Sequence, residues 1–318
     1  MKAFLNYYRV LVLTLILILY MFLLSAVHAG KYKSVAEYEN EIEELATGWA
    51  IDEALAMANE AVESYPDKPE GYRARALCLA ELKKFDQSMN DIDKAIKMNP
   101  KDGNSYLMRS MIYQYQDAND KALADLATAI ELEPNNYDFR SRRGYLLSGL
   151  KKYNEAIIDF NYANKLAPQK KHFIRGRAMA YEGKREFLKA AEDYGRAIAL
   201  SNNPEDRMKR ASCFMRAGKF EKACDDFDIV IKGNPKDDEA LVRRAEAFYR
   251  LKKYSEALLD LNEVIRLDKD SGLAYFIRGW VYKALGDEDK FKNDIRKAAR
   301  LNWTVVNDLN KRLRYEIP

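Results

Sequence analysis

The chain is poor in the side chains that build most active sites and metal centres. Its 318 residues include 3 cysteines and 2 histidines, and of the two histidines only His172 lies beyond the apolar N-terminal segment. No histidine–cysteine cluster has the spacing of a metal site, and no strand pattern precedes a glycine-rich loop that could hold a phosphate. Carboxylates are numerous, but they recur periodically, whereas a catalytic pair should occur once. We therefore predict that the chain is not an enzyme, and we assign no catalytic residue, cofactor or metal ligand.

An excess of charge of one sign is lacking as well. The chain has 53 lysines and arginines against 49 aspartates and glutamates, which gives a formal net charge of +4. No strong electric field therefore favours nucleic acid or an anionic membrane as a partner. Low-complexity tracts and glycine–serine linkers are also missing, so residues 30–318 are predicted to form one continuous domain.

A repeat dominates what the sequence does contain. Seven arginines recur every 34 residues, or 33 between Arg177 and Arg210, and an aspartate follows each one sixteen residues later. The arginines are Arg75, Arg109, Arg143, Arg177, Arg210, Arg244 and Arg278. The aspartates are Asp91, Asp125, Asp159, Asp193, Asp226, Asp260 and Asp294. A period this strict indicates one structural unit stacked many times, and stacked units present an extended binding surface more often than a catalytic pocket.

Each unit has the pattern of two helices joined by a tight turn. A small residue follows each arginine, and a large apolar residue comes three positions after the small one. Another large apolar residue directly follows each aspartate. Apolar and small residues at these spacings lie on one face of a helix. The small residues are Ala76, Ser110, Gly144, Ala178, Ala211, Ala245 and Gly279. Breaks such as Leu82–Phe85 separate the two halves, and prolines such as Pro100 and Pro134 end second helices, because proline cannot continue one.

In such a hairpin the arginine and the aspartate of one unit lie at equal distances from the turn. They should therefore face each other and form charge-assisted hydrogen bonds. Seven arginines in a row could instead bind a polyanion, but that function needs no aspartate, whereas pairing requires the observed one-to-one ratio. We predict a structural arginine–aspartate clasp in each of the seven units that carry the pair.

The pattern resembles the tetratricopeptide repeat in its period, its helix pair, its small-residue columns and its closing prolines. The resemblance covers roughly residues 35–305 and implies an all-α, right-handed superhelical α-solenoid of antiparallel helix pairs. Its eight repeats run over about 35–68, 69–102, 103–136, 137–170, 171–203, 204–237, 238–271 and 272–305. Glu41 and Met57 replace the arginine and aspartate of the first unit, which suits an N-terminal cap. Phe291 and Trp303 depart from the pattern in the last unit, and residues 304–317 are predicted to form a C-terminal capping helix.

The N-terminal segment has the composition of an export signal. Met1–Arg9 contains two bases, Val10–Val27 is almost wholly apolar, and Val27–Ala29 resembles a small-residue cleavage site before Gly30. The apolar run is long for a signal core and just short of the ~20 residues that span a bilayer. Residues 1–29 are therefore either a cleaved signal peptide or an uncleaved anchor that would tether the chain through residues 10–27. Both interpretations place the repeats outside the cytoplasm, in a periplasm or the lumen of a secretory pathway.

The three cysteines have few pairing options. Cys213 and Cys224 lie on the two helices of one unit, nearly equidistant from the turn at Gly218, so they could face each other. They are either a disulfide, which an oxidising compartment would allow, or two small core residues. Cys78 is predicted to be an unpaired core thiol.

The partner-binding surface is predicted from columns that vary between units. In proteins of the family that the chain resembles, first helices line the concave face. The outward column here is Leu77, Met111, Tyr145, Met179, Ser212, Glu246 and Trp280. One turn earlier come Arg73, Leu107, Ser141, Arg175, Met208, Val242 and Phe276. The outward column has no asparagine, so the clamp for a terminal carboxylate that chaperone-binding members use is not predicted.

Two apolar-aromatic patches remain as candidate binding surfaces. The first patch comprises Leu107, Met111, Tyr115 and Tyr145. The second patch comprises Tyr249, Phe276 and Trp280, with Arg216, Arg250 and Lys283 at its rim. Packing between repeats is the alternative role for each of these residues. We predict an exported, non-enzymatic scaffold or adaptor that binds a protein or peptide segment in its concave groove. The alternative is a glycan-binding or assembly component of a cell-envelope polysaccharide system, because aromatic side chains can stack on sugar rings.

Overall fold

A computed structural model describes residues 50–301 and, before them, Ser34, Glu37, Tyr38, Glu41, Ile42, Glu44 and Leu45. All of this described part is helical or connects helices, and it contains no strand. The predicted signal or anchor at residues 1–29, Trp303 and the predicted capping helix at 304–317 lie outside the described residues.

Between residues 50 and 301 the chain forms fifteen helices. They are α1 (Ile51–Ser64), α2 (Pro69–Glu81), α3 (Phe85–Met98), α4 (Gly103–Tyr115), α5 (Asn119–Leu132), α6 (Tyr137–Gly149), α7 (Tyr153–Leu166), α8 (Lys171–Gly183), α9 (Phe187–Leu200), α10 (Pro204–Arg216), α11 (Phe220–Gly233), α12 (Asp238–Arg250), α13 (Tyr254–Leu267), α14 (Gly272–Ala284) and α15 (Glu288–Leu301). Even-numbered helices are the first helices of the predicted repeats, and odd-numbered helices are the second helices. The predicted all-α architecture of tandem helix pairs is confirmed.

The chain folds as two compact units that divide after Phe139. In the first unit each helix from α1 to α5 packs on the next, and α2 also packs against α4. In the second unit each helix from α7 to α15 packs on the next, and α12 also packs against α14. The repeat boundaries and the single continuous domain stay predictions.

The turns inside the repeats share one backbone conformation. A left-handed residue, with φ between 56° and 81°, follows every first helix from α2 to α14. These residues are Lys83, Asp117, Lys151, Arg185, Gly218, Lys252 and Gly286. The next residue donates its N–H to a carbonyl five positions back, as Lys84 does to Leu79 at 2.8 Å. This is the Schellman pattern, which satisfies the free carbonyls at a helix end. Five of the seven residues are not glycine, although left-handed backbone favours glycine.

The core of each repeat follows the predicted small-residue columns. Ala76, Ala178, Ala211 and Ala245 are completely buried, as are the second-helix alanines Ala122, Ala156, Ala190, Ala223 and Ala257. Large side chains fill the space beside them, and Phe160 and Phe227 are completely buried as well. Glycine is required beside Phe160, because a Cβ at Gly176 would lie 2.5 Å from the Phe160 ring.

The cysteines are small core residues with free thiols, not a disulfide. Cys213 packs with Ala190 and Tyr194 of the preceding repeat. Cys224 is within reach of the charges of Lys253 and Arg244 in the following repeat. Of the two alternatives for Cys213 and Cys224, the structure has two small core residues and no disulfide, because equal distance from the turn does not fix the direction in which a helical side chain points.

Every predicted arginine–aspartate clasp is present. In all seven pairs the guanidinium donates from Nε and Nη2 to the two carboxylate oxygens, at distances of 2.6 to 2.9 Å. The seven aspartates are 1 to 7% exposed. Each bidentate pair joins the two helices of one repeat with charge-assisted hydrogen bonds.

Five of the arginines also reach the preceding repeat. Their Nη1 atoms donate, at 2.6 to 3.2 Å, to a second-helix acceptor. These acceptors are Asn59, Asp93, Asn161, Asp228 and Asn262. The corresponding positions before Arg143 and Arg210 hold Ala127 and Gly195, which have no side-chain acceptor. One guanidinium therefore joins three helices in five repeats, a link that we did not predict.

Candidate functional site

The outward column of the first helices is accessible in each repeat whose first helix is one of the even-numbered helices α2 to α14. Tyr145 is 39% exposed and Met179 is 54% exposed, and the other members of the column are half-buried. The column one turn earlier behaves differently, because several of its members pack against neighbouring helices. Leu107 is 8% exposed, and Phe276 is completely buried in a core cluster with residues of α12 to α15. Leu107 and Phe276 were predicted to be part of a binding surface, and this assignment is wrong.

The first predicted patch is divided between the two units. In the first compact unit, which ends at Phe139, Met111 is half-buried and Tyr115 is 44% exposed. The Tyr115 hydroxyl donates to the Glu81 carboxylate one repeat earlier, and burial raises the pKa of Tyr115 to about 12. Tyr145 belongs to the second unit and is described there.

The apolar members of the second patch are occupied by contacts within the chain. Trp280 is half-buried, and its ring meets the edges of Phe276 and Phe291 at centroid distances of 6.3 and 5.7 Å. The Lys283 ammonium lies 4.9 Å from the Trp280 centroid. Tyr249 is half-buried beside the Tyr254 ring. Trp280 therefore contributes to the packing of the last described repeat.

The two arginines at the rim of the second patch are also anchored. The Arg216 guanidinium lies 4.6 Å from the centroid of the Phe187 ring, and that of Arg250 lies 4.9 Å from the centroid of Phe220. Each arginine thus ends a first helix and covers the aromatic residue that begins the second helix of the preceding repeat. These are cation–π contacts between repeats.

A cavity of about 490 Å³ opens in the second unit. Its walls are the first helices α8 and α10, and its lining includes Tyr145 of α6 and Tyr194 of α9. The lining residues are Tyr145, His172, Arg175, Met179, Glu182, Tyr194, Glu205 and Lys209. The cavity combines exposed apolar side chains with both signs of charge.

Hydrogen bonds fix two tyrosines at this cavity. The hydroxyl of Tyr194, a residue only 2% exposed, donates to Glu182 Oε1 at 2.6 Å. The pKa of Tyr194 is raised strongly, chiefly by burial and then by the Glu182 carboxylate. Tyr145 donates to the His172 carbonyl at 2.7 Å, and its ring packs edge-on against Phe160 with centroids 4.9 Å apart. The orientation of Tyr145 and that of Glu182 are therefore set by the protein before any ligand binds.

An ion cluster joins α8 to α10 beside the cavity. Arg175 Nη2 lies 2.7 Å from Glu205 Oε2, and Arg175 Nε lies 2.6 Å from Asp206 Oδ1. Asp206 is completely buried, and neither of its oxygens accepts a well-aligned hydrogen bond from the described residues. Burial raises the pKa of Asp206, and the Arg175 charge opposes that shift without cancelling it.

The carboxylate of Asp206 is exceptional for its position. In the six other repeats that carry the arginine–aspartate pair the equivalent residues are uncharged and buried, namely Gly71, Ser105, Phe139, Phe173, Ala240 and Ala274. A buried charge costs stability unless it is fully paired, and departures from local rules concentrate at functional sites. The cavity thus lies at a junction where the repeats depart from their own pattern.

Five residues of the cavity were not predicted to belong to a binding surface: His172, Glu182, Tyr194, Glu205 and Lys209. Arg175 and Met179 were in the columns from which the surface was predicted, and Tyr145 was in the first patch. A usable indication was present in the sequence, since the one spacing of 33 residues falls between Arg177 and Arg210, the repeats that form the cavity walls.

The described residues offer neither a metal centre nor a membrane span. No group of three or more histidine, cysteine, aspartate or glutamate side chains among them could hold a metal ion. Within the same part of the chain no helix is both long and apolar enough to cross a membrane.

Comparison with known proteins identifies the repeat. A model of the tetratricopeptide repeat matches residues 51–103, 107–171 and 208–272, and a second model of this repeat matches residues 273–302. The chain is 30% identical over 106 residues to RNA polymerase II-associated protein 3 of Xenopus laevis, a match that covers 32% of this chain and 16% of that protein. It is 28% identical over 104 residues to Hsc70-interacting protein 1 of Drosophila melanogaster, covering 33% of this chain and 27% of that protein. The chain thus spans only a small part of either relative.

A solved structure supports the fold. The C-terminal part of a tetratricopeptide repeat protein from Cytophaga hutchinsonii superposes with a TM-score of 0.62, at 17% identity, over 74% of this chain and 97% of that one. The first repeat model alone covers more than half of the sequence. With its helix pairs, clasps and columns, the chain belongs to the tetratricopeptide repeat family.

Proposed function

We propose that the chain is a non-enzymatic adaptor that binds an extended segment of a partner protein along the exposed faces of its first helices. The observation that carries this proposal is the cavity between α8 and α10, bordered by the exposed side chains of Tyr145 and Met179. An extended segment fits because first helices recur along the stack and each repeat offers the next contact. The name of the Drosophila relative states an interaction with a protein, which is in keeping with this proposal.

The binding energy should be concentrated in a few side chains of the cavity. Tyr145 offers an aromatic ring that is already oriented by the His172 carbonyl. Met179 offers a flexible, polarisable side chain that adapts to different apolar partners. Truncation of such central residues typically costs more than about 1 kcal/mol of binding free energy.

The proposal is tested with peptides selected for binding. A displayed library of random peptides is selected against the immobilised full chain, and the enriched peptides are titrated by calorimetry against the wild type and Met179→Glu. We expect Met179→Glu to weaken binding at least about tenfold. The matched control is Leu188→Glu, because Leu188 is 55% exposed, about as much as Met179, but lies on the second helix of the same repeat.

Equal losses in Met179→Glu and Leu188→Glu would place the binding surface elsewhere and contradict the proposal. A glycan array probed with the same three proteins tests the alternative of glycan binding. Glycan capture that Met179→Glu abolishes, with no peptide enriched, would replace the adaptor function by the glycan-binding one.

We also propose that the repeats are exported, a proposal that rests on the apolar run Val10–Val27 and the small-residue sequence Val27–Ala29. Measurement of the intact mass in cell fractions tests it. A mature chain beginning at Gly30 in the soluble exported fraction indicates a cleaved signal. A full-length mass in the membrane fraction indicates an anchor, and a full-length mass in the cytosol contradicts export.

A further inference from the structure

We infer that the cavity between α8 and α10 receives a basic side chain, lysine or arginine, of the bound segment. This inference rests on the proposed adaptor function and specifies the chemistry of its partner. The cationic group would lie between the carboxylates of Glu182 and Glu205, and its aliphatic stem would lie along Met179 and Tyr145.

Carboxylates stand on both walls of the cavity. Glu182 of α8 and Glu205 of α10 both line it, and Asp206 adds a third carboxylate behind Arg175. Arg175 and Lys209 are the two bases of the lining, so its formal charges balance, and Lys171 acts on Glu205 and Asp206 from outside the lining. The preference for a cation therefore depends on which of these charges are already engaged. The hydrogen bond from Arg175 lowers the pKa of Glu205, which keeps that carboxylate charged.

Arg175 is not available to an anionic ligand. Its guanidinium is already shared between Glu205 at 2.7 Å and the completely buried Asp206 at 2.6 Å. Moving Arg175 toward an incoming carboxylate would leave Asp206 buried without its partner charge, and such a loss is strongly unfavourable. Arg175 therefore does not favour an acidic side chain, and Lys209 is the other base of the lining.

Both glutamates can accept further hydrogen bonds. Tyr194 donates to Oε1 of Glu182, and Arg175 lies against Oε2 of Glu205, so each contact engages one carboxylate oxygen. A carboxylate accepts several hydrogen bonds, while an ammonium or guanidinium group offers only donors. Tyr145 adds an aromatic ring, which attracts a cation over its face.

Lys209 would compete with a ligand cation for Glu205. It is an exposed residue of the lining, four positions after Glu205 on α10, and its charge acts on Glu205. A ligand cation must share that carboxylate with Lys209 or displace it. Removal of the Lys209 charge should therefore strengthen the binding of a basic side chain.

The experiment uses nonapeptide pools that are random except at the central position, which is fixed as arginine, lysine, norleucine, glutamine or glutamate. Affinities are measured for the full chain and for Glu182→Gln, Glu205→Gln and Lys209→Gln. Glutamine keeps an acceptor for Tyr194 and for Arg175, so the fold is retained, and thermal melting verifies this for each variant. Glu221→Gln is the matched control, because Glu221 is an exposed acid on the second helix α11, outside the cavity.

We expect the arginine and lysine pools to bind at least about fivefold more tightly than the norleucine pool. The preference should disappear in Glu182→Gln and Glu205→Gln, increase in Lys209→Gln and persist in Glu221→Gln. Equal binding of the basic and norleucine pools, or preference for glutamate, would overturn this inference and leave the adaptor function standing. Failure of every pool to bind the folded wild type would count against the adaptor function itself.

Discussion

The clasp between Arg143 and Asp159 should be a principal source of stability in its repeat. Asp159 is 1% exposed and accepts from Arg143 Nε at 2.7 Å and from Nη2 at 2.8 Å. A second guanidinium, that of Arg140, lies 3.7 Å from the same carboxylate. We predict that Asp159→Ala lowers the free energy of unfolding by about 1–3 kcal/mol.

The magnitude follows from two opposing contributions. Hydrogen bonds to charged groups are worth roughly 1.5–3 kcal/mol each, so two of them set a gross loss of about 3–6 kcal/mol. The variant no longer buries a carboxylate, and the Arg143 side chain, which is 26% exposed, regains part of its hydration. Arg140 keeps its stacking on Tyr162, with its guanidinium 3.8 Å from the ring centroid. The net loss is therefore well below the gross value.

Urea titrations followed by circular dichroism measure the loss in Asp159→Ala and the coupling in a four-protein cycle. The proteins of the cycle are the wild type, Asp159→Leu, Arg143→Met and the double variant. We expect the double variant to recover more than half of the loss seen in the worse single variant, because an apolar pair leaves no unpaired charge. Additive losses would refute the reasoning, since they would show that the clasp carries no coupling energy.

Further predictions follow from the turns, the missing links, the thiols and the buried acid. Gly195→Asp should raise the free energy of unfolding by about 1 kcal/mol, because it supplies the acceptor that Arg210 lacks and removes a helical glycine. Urea titrations should show a smaller gain when the same substitution is made in Arg210→Met. Lys151→Gly should raise the free energy of unfolding by roughly 0.5–1 kcal/mol, because Lys151 has a left-handed backbone with φ of 61°, which glycine adopts more readily than lysine. An unchanged midpoint in urea titrations would contradict this prediction. The three thiols should not react with a disulfide reagent at pH ~8 until the chain is denatured, since burial raises their pKa values to about 11 or 12. Rapid reaction of the folded chain would show that the thiols are accessible. Asp206→Ala should raise the free energy of unfolding by about 1 kcal/mol at neutral pH and by less at acidic pH, because a buried acid with a raised pKa is less unfavourable once protonated. A lower free energy of unfolding at neutral pH would show that the contact between Asp206 and Arg175 is net stabilising.

The repeat architecture could be predicted because its evidence is multiplied along the chain. A single arginine and aspartate sixteen residues apart would mean little, but seven such pairs in register required a common contact, and the structure forms all seven. The Nη1 links were harder to predict because their pattern is less uniform. Their acceptors include both asparagine and aspartate, and two positions, Ala127 and Gly195, have none.

The exposure of individual columns could not be predicted with the same certainty. Phe276 and Trp280 lie one turn apart on α14, yet the first is completely buried and the second is half-buried. Helical periodicity fixes which residues share a face, but the depth of that face depends on how closely the neighbouring helix packs. The distance to the neighbouring helix is set by side chains of another repeat. A comparison of equivalent positions along one column does not include those side chains.

The cavity shows why departures from a repeat are more informative about function than the repeat itself. Tyr145 occupies a position that the other repeats fill with different residues, whereas the position of Met179 is also methionine at Met111, and that of Glu205 is also glutamate at Glu70 and Glu239. What distinguishes this junction is a spacing shortened by one residue and a carboxylate, Asp206, at a position that is small or apolar in the six other repeats with an arginine–aspartate pair. The regular columns stabilise any array of this kind, so selection for a particular partner has to act on the positions where regularity is abandoned. We expect the buried acid to weaken its own junction, and stability alone would then not explain its presence beside Arg175, which lines the cavity.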